Sequence, residues 1–238
     1  MPSVSANLQN KTKDPTRFNF DPVADTYDEW YETAEGAMYD RMEKKAISKY
    51  LLRNVQGRKL LEVGCGTGHW SQFFSEFGFE VIGVDISERM INIAQSKGIS
   101  NASFQIADGH FLPFKNGVFD VTAAIVTLEF VCDAELVLRE MVRCTRKGGG
   151  QLLIGVLNAL ARLNCKRQLY KKSPYAKARL FSPMQLKLLL EPYGQTRITV
   201  AGFVPKQQWL LSLVPVTDLI CRLLHRPSGV FIAAEVRL

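Results

Sequence analysis

The loop Gly64-Cys65-Gly66-Thr67-Gly68 and two downstream acids, Asp85 and Asp108, have types and spacing that could do chemistry together. Glycines let a backbone approach a ligand closely and adopt positive φ. The amides of such a loop, and of a helix that starts on it, favour negatively charged groups. Asp85 lies seventeen residues after Gly68, at the end of the next apolar run. In open α/β folds an acid at that place accepts hydrogen bonds from ribose hydroxyls. Asp108 stands in Ile106-Ala107-Asp108-Gly109, where a carboxylate can accept from an adenine amino group. Each feature alone is compatible with an ordinary turn or a surface acid. In this order they point to a ligand carrying a nucleoside.

The elements that must position these residues alternate. Lys59–Val63 is expected to be a short buried strand, followed by the glycine loop and a helix over about Trp70–Phe77. A second strand is expected at Glu80–Val84 and a second helix at Ser87–Lys97, with Ser87 as its N-cap. Ser103–Ile106 and Phe119–Val126 read as strands, Asp133–Cys144 as a helix, and Gln151–Val156 as a fifth strand after Lys147-Gly148-Gly149-Gly150. Strands alternating with helices imply parallel βαβ units in a doubly wound sheet.

Both ends differ from this core. Residues 1–13 read as a disordered tail, and 14–56 as a helical cap segment with apolar residues at helical spacing from about Ala37 to Leu52. Residues 57–156 form the ligand-binding core, and 157–238 continue the same domain. That last part contains a basic linker, Asn158–Arg179, and a helix that starts at Ser182-Pro183. Arg197–Val200 and Val230–Val236 read as strands. Between them, within 203–229, an apolar and basic stretch is broken by Pro215. Trp209, Leu210, Leu211, Leu213, Leu219 and Ile220 suit a lid over an apolar acceptor, a contact with a second copy, or peripheral attachment to an anionic membrane.

The chain has 238 residues, a net charge of +7 and 47% hydrophobic residues, enough for a full core without staples. The first twenty residues hold no apolar signal segment, and no run of eighteen apolar residues occurs. The cysteines Cys65, Cys132, Cys144, Cys165 and Cys221 form no metal-ligand spacing and read as reduced thiols of a cytoplasmic protein, with no metal site expected. Charge is uneven: Asp14 to Glu43 holds nine acids and two bases, whereas Arg162 to Lys187 holds eight bases and no acid. The basic run is either a solvated face or a phosphate-binding patch.

Glu62-Val63-Gly64-Cys65-Gly66-Thr67-Gly68 resembles motif I of the class I S-adenosylmethionine-dependent methyltransferases. Val84-Asp85-Ile86-Ser87 resembles their acidic ribose motif, and Ala107-Asp108-Gly109 with Leu112-Pro113-Phe114 their adenine motif. Phe119-Asp120 and Arg146-Lys147-Gly148-Gly149 resemble the later motifs. The resemblance covers about residues 58–156 and leans towards the small-molecule branch that includes ubiquinone and menaquinone biosynthesis enzymes. It implies a Rossmann-like, seven-stranded sheet, mostly parallel with an antiparallel last strand, flanked by N-terminal helices and a C-terminal helical insertion. It implies S-adenosyl-L-methionine as methyl donor and S-adenosyl-L-homocysteine as product. By the same resemblance Glu62, Gly64, Cys65, Gly66 and Gly68 would hold the methionine portion, and Asp85 the ribose. Ile86, Ala107, Asp108 and Gly109 would meet the adenine, while Thr127 and Leu128 would border the sulfonium. Ala24-Asp25-Thr26-Tyr27-Asp28-Glu29-Trp30-Tyr31 resembles an N-terminal segment of this branch whose tyrosine closes over the cofactor. Tyr27 is the first candidate for that role, with Tyr31 second.

Transfer from a sulfonium needs positioning more than acid–base help, and a base matters only where the acceptor has a proton to lose. Tyr27 and His69 are the candidates for a catalytic side chain. Glu129, in Thr127-Leu128-Glu129-Phe130, would orient an acceptor or cap a helix. No Asn/Asp-Pro-Pro-Tyr-like tetrapeptide follows the fourth strand, which argues against amide and exocyclic-amine acceptors. The leading partner is a small, apolar or aromatic acceptor. The alternatives are RNA held by Lys166, Arg167, Lys171 and Lys172, and a cofactor-binding protein without catalysis. A nicotinamide dehydrogenase would want G-x-G-x-x-G, and the loop here is G-x-G-x-G.

Overall fold

The structure is a computed structural model, and it describes residues 15–51, 54–171, 173–203, 216 and 226–238. Seven strands form one sheet: β1 (Lys59–Val63), β2 (Glu80–Asp85), β3 (Ala102–Ile106), β4 (Val121–Ile125), β5 (Gln151–Leu157), β6 (Gln195–Ala201) and β7 (Phe231–Arg237). Their order is β3-β2-β1-β4-β5-β7-β6. β1 to β5 pair in parallel, and β7 runs antiparallel to both β5 and β6, which is the antiparallel last strand expected. The order reverses between β1 and β4. In such folds that crevice, at the carboxyl ends of the strands, is where ligands bind.

Alternation along β1 divides the core. Leu60 and Leu61 are both fully buried but belong to opposite faces, because successive side chains on a strand point to opposite sides. Leu61, Val63 and Ile154 pack against α5 (Ala134–Cys144) and α7 (Pro183–Leu190). Leu60, Val81 and Val121 pack against α2 (Ala34–Ser48) and α3 (His69–Phe77). Cover on both faces explains why the central strands β1, β4 and β5 read as near-continuous apolar runs.

Caps fix the helix starts. Ser87 accepts from the Met90 amide at the start of α4 (Glu88–Ser96), and Asp133 accepts from the Leu136 amide at the start of α5. Ser182 and Gln185 form a reciprocal capping box on α7, with Pro183 in its first turn. The cap segment begins with a short 3-10 turn at Asp21–Thr26 and the single-turn α1 (Glu29–Glu32).

Three expectations need correction. The cap-segment helix starts at Ala34, three residues before Ala37, because Thr33 caps it, and it ends at Ser48. β4 ends at Ile125, because Val126 turns out of the sheet with φ +52°. The segment 158–179 is no linker: it contains α6 (Arg162–Leu169) and a 3-10 turn at Pro174–Lys177. α6 is held by a polar anchor that hydropathy cannot register. Asn164 is buried and donates from Nδ2 to the carbonyls of Asn158 at 2.9 Å and Val230 at 2.8 Å. The tail at 1–13 and most of the 203–229 insertion lie outside the described residues. Among the described residues no helix is long and apolar enough to cross a membrane.

Candidate active site

A cavity of about 410 Å³ opens at the β1/β4 crevice, a size typical of small-molecule sites. Gly64 builds its floor. Its φ is +72°, and a Cβ there would stand 2.3 Å from Thr127 Cγ2. The turn at Val126 brings Thr127 into this position, where its hydroxyl donates to the Ile125 carbonyl at 3.1 Å. Thr127 thus closes the loop from the β4 side, and Cys65 and Gly66 continue the wall.

Asp85, at the carboxyl end of β2, holds the same loop. Its Oδ2 accepts from the Gly66 amide and its Oδ1 from the Ser87 amide, both at 2.9 Å. Burial pushes this carboxyl up from its ordinary range, against the pull of those backbone N–H groups. The Ile86 amide bonds the same carboxylate, and a carboxylate with about four lone-pair sites still keeps one for a ligand hydroxyl. Ile86 is exposed beside it on the cavity wall. Asp108 lines the next stretch with Ala107 and Gly109. Its Oδ1 accepts from the His110 amide at 2.9 Å and lies 2.6 Å from His110 Nδ1. His110 Nε2 accepts from the Asp133 amide at 3.2 Å, so Nδ1 carries the proton and donates to Asp108. Oδ2 of Asp108 is left to face a ligand.

Other expected residues divide. Glu62 lines the cavity and is buried, takes a 2.5 Å hydrogen bond from the Ser71 hydroxyl, and is pushed up to about 8 by burial. Burial also raises the Cys65 thiol. Gly68 adopts φ +82° as the cap of α3 but faces Ala94, Ile99 and Phe104, away from the cavity. Leu128 is fully buried in the core with α5 and does not line the cavity. Glu129 caps no helix, since Asp133 serves α5. Its carboxyl is fully buried, with Oε1 accepting from the Leu157 amide at 2.6 Å.

The cap segment lies over the far end. Tyr27 and Tyr31 both line the cavity, with ring centroids 6.2 Å apart and a shared hydrogen bond, and burial raises both phenols. Tyr31 stacks flat on the His69 imidazole, 3.6 Å between centroids at 4°. His69 Nε2 lies 2.7 Å from Asp40 Oδ1, and Lys44 donates to Asp40 Oδ2 at 2.9 Å. Burial acts to raise the Asp40 carboxyl, but the hydrogen bonds from His69 and Lys44 outweigh it and hold it below its ordinary value. Glu43, one turn along α2 from Tyr39, is pushed up to about 8 by burial and by the neighbouring Asp40 charge. Arg167 of α6 reaches the same cavity among Trp30, Tyr39 and Tyr175.

Sequence reading missed Glu43, His110 and the direction of Arg167. The i, i+4 spacing of Tyr39 and Glu43, and the position of His110 two residues after Asp108, were the available signals. Among the described residues no group of three or more His, Cys, Asp or Glu is placed to hold a metal.

A doubly wound sheet with a glycine loop after β1, an acid ending β2 and an acid following β3 defines a class I S-adenosylmethionine-dependent methyltransferase domain. Residues 61–153 match the methyltransferase domain family, and this family and fold imply S-adenosylmethionine as cofactor. The chain is 34% identical over 139 residues to an uncharacterised protein of Methanocaldococcus jannaschii, covering 58% of this chain and 61% of that one. It is 30% identical to the demethylmenaquinone methyltransferase of Lactococcus lactis, over 55% of this chain and 54% of that one. The chain thus spans about half the length of the curated relatives it matches. A solved Thermotoga maritima S-adenosylmethionine-dependent methyltransferase, described as a possible histamine N-methyltransferase, shares the fold with a TM-score of 0.71. Identity to it is 24%, over 92% of this chain and 97% of that one.

The residues present fit this cofactor. The floor at Gly64 is open because no Cβ fills it, and the Asp85 and Asp108 carboxylates both line the cavity with acceptor capacity in reserve.

Proposed function

We propose that this protein transfers a methyl group from S-adenosylmethionine to a small-molecule acceptor bound under the cap segment. One observation carries the reading: Asp85 and Asp108 line the same cavity as Trp30, Tyr39 and Tyr175, so donor and acceptor subsites adjoin. The relative named as acting on demethylmenaquinone supports a small acceptor. The free thiols, Cys65 and Cys144 among them and both buried, support a cytoplasmic setting.

The cofactor supplies an activated methyl group on a sulfonium. Glu62 and the Gly64–Gly66 backbone hold the methionine portion, Asp85 the ribose and Asp108 the adenine edge. Tyr27 and Tyr31 cover the cavity and exclude water, which strengthens the electrostatics inside. His69 Nε2 lies between Asp40 Oδ1 at 2.7 Å and Lys44 Nζ at 3.0 Å, and in the tautomer that donates Nε2–H to Asp40, Nδ1 is the atom left to take an acceptor proton.

RNA as acceptor is the second reading. Arg162, Lys166 and Lys171 are exposed and compatible with a phosphate patch, whereas Arg167 turns into the cavity. A screen of phenols, thiols, amines, carboxylates and RNA with methyl-labelled cofactor tests both. Label on a small molecule is expected; label on RNA alone overturns the reading.

A further inference from the structure

Arg167 occupies an unusual place. Its guanidinium carbon lies 5.4 Å from the ring centroids of Trp30 and Tyr39 and 5.3 Å from that of Tyr175. Three rings contributed by α1, α2 and the Pro174–Lys177 turn therefore grip one cation. Attraction to ring faces stabilises the charge but uses none of the guanidinium N–H donors. Among the described residues no carboxylate lies within ion-pair distance of Arg167, and no side-chain or backbone oxygen accepts from its guanidinium. Glu43 is the carboxyl that feels its charge; burial is the larger effect and pushes that carboxyl up to about 8, although Arg167 pulls it down. Asp40 is already committed to Lys44 and His69. The far end of the cavity thus offers a cation with donors to spare, a neutral carboxyl able to donate, and flat apolar walls.

We infer that the acceptor subsite recognises a carboxylate on a planar, apolar molecule, with the Arg167 fork as its anchor. The inference rests on the methyltransferase reading for the word acceptor, but the anion site stands on its own geometry. A guanidinium held at fixed orientation matches a carboxylate through two parallel N–H···O bonds. Trp30, Tyr39 and Tyr175 also line the cavity, so the body of the ligand would meet aromatic walls. A cationic amine would meet the Arg167 charge and find no ionised partner free to balance it. The carboxylate is a recognition handle here, and its pairing with Arg167 leaves a second group of the molecule to receive the methyl.

Calorimetric titration of the full-length protein with phenylacetate, phenylacetamide and phenethylamine, with and without S-adenosylhomocysteine, tests this. Phenylacetate is expected to bind at least tenfold more tightly than either analogue. Arg167→Gln is expected to remove the preference while S-adenosylhomocysteine still binds. Arg167→Lys, which keeps charge and loses the fork, is expected to retain part of it. No phenylacetate binding, a preference for phenethylamine, or an unchanged preference in Arg167→Gln would overturn the inference. The wild-type comparison needs no variant to fold. Failure of S-adenosylhomocysteine to bind the wild type would count against the methyltransferase reading alone, since the carboxylate is also titrated without it.

Discussion

Thr67 of the glycine loop donates its hydroxyl to Asp28 Oδ1 at 2.6 Å, joining the cap segment to the cofactor loop. Lys97 approaches the other carboxylate oxygen at 2.6 Å. The same pattern repeats along the segment. Asp21 accepts from Ser87, Asp25 pairs with Arg89, and Asp40 pairs with His69. Four acids of this run, Asp21, Asp25, Asp28 and Asp40, are therefore clasps of a cover, reaching α4 and its caps, the glycine loop and the start of α3. A hydrogen bond to a charged group contributes about 1.5–3 kcal/mol, so Thr67→Val should weaken S-adenosylhomocysteine binding by roughly tenfold, mainly through faster release. Stopped-flow dissociation of the product measures it, and an unchanged off-rate would separate the clasp from cofactor retention.

Gly64→Ala should fold yet lose the cofactor. The substitution places a Cβ against Thr127 and puts alanine at φ +72°, a strain of about 1–3 kcal/mol before the clash is counted. Gly66, also at positive φ, has nothing within 4 Å of its Cβ direction, so Gly66→Ala should bind more tightly than Gly64→Ala. Calorimetry on the pair gives the order, and the reverse order would contradict this account of the floor.

His110 should act on the adenine end through Asp108. With Nδ1–H committed to Oδ1, the carboxylate is held to accept from an amino group. The inosine analogue of S-adenosylhomocysteine carries a carbonyl there and should bind at least tenfold less tightly to the wild type. His110→Ala should narrow that discrimination while leaving the far-UV spectrum intact. Equal discrimination in both proteins would reduce His110 to packing.

Glu129 makes stability depend on pH. Burial pushes its carboxyl from an ordinary 4.5 to about 8. Between those values the folded protein keeps a proton that the unfolded chain has lost. Its contribution is therefore complete below about pH 4.5 and is lost as pH rises to about 8. Glu62 follows the same sign in the cofactor-free protein. Glu129→Gln preserves the acceptor for the Leu157 amide, so it should leave the melting temperature at pH 5 nearly unchanged and raise it at pH 8. A variant that melts lower at pH 8 would show that Glu129 is ionised in the fold.

The core of the fold was legible because its signals are local. β1, β2 and β5 are apolar runs bounded by turn residues, and Ser87 and Ser182 announce their helices. Asp85 and Asp108 could be placed because strand ends in a parallel sheet converge on one edge. What escaped depends on distant partners. α6 is anchored by Asn164 reaching carbonyls on two other segments, which no apolar period reveals. Arg167 read as part of a basic run, and only the packing of Trp30, Tyr39 and Tyr175 turns it inward. Glu129 reads as an acceptor-orienting residue or a helix cap, because burial is not a property of four neighbouring residues. Gly68 was counted with the ligand loop although its space is needed by Ala94, Ile99 and Phe104 on the other side.

The central claim is that the crevice between β1 and β4 binds S-adenosylmethionine with Asp85 on its ribose. Titration of S-adenosylhomocysteine into the wild type and Asp85→Ala, each checked by circular dichroism, tests it most directly. The account predicts saturable one-to-one binding by the wild type and none by a folded Asp85→Ala. Unchanged affinity in the variant, or a wild type that binds a nicotinamide dinucleotide and not S-adenosylhomocysteine, would contradict it.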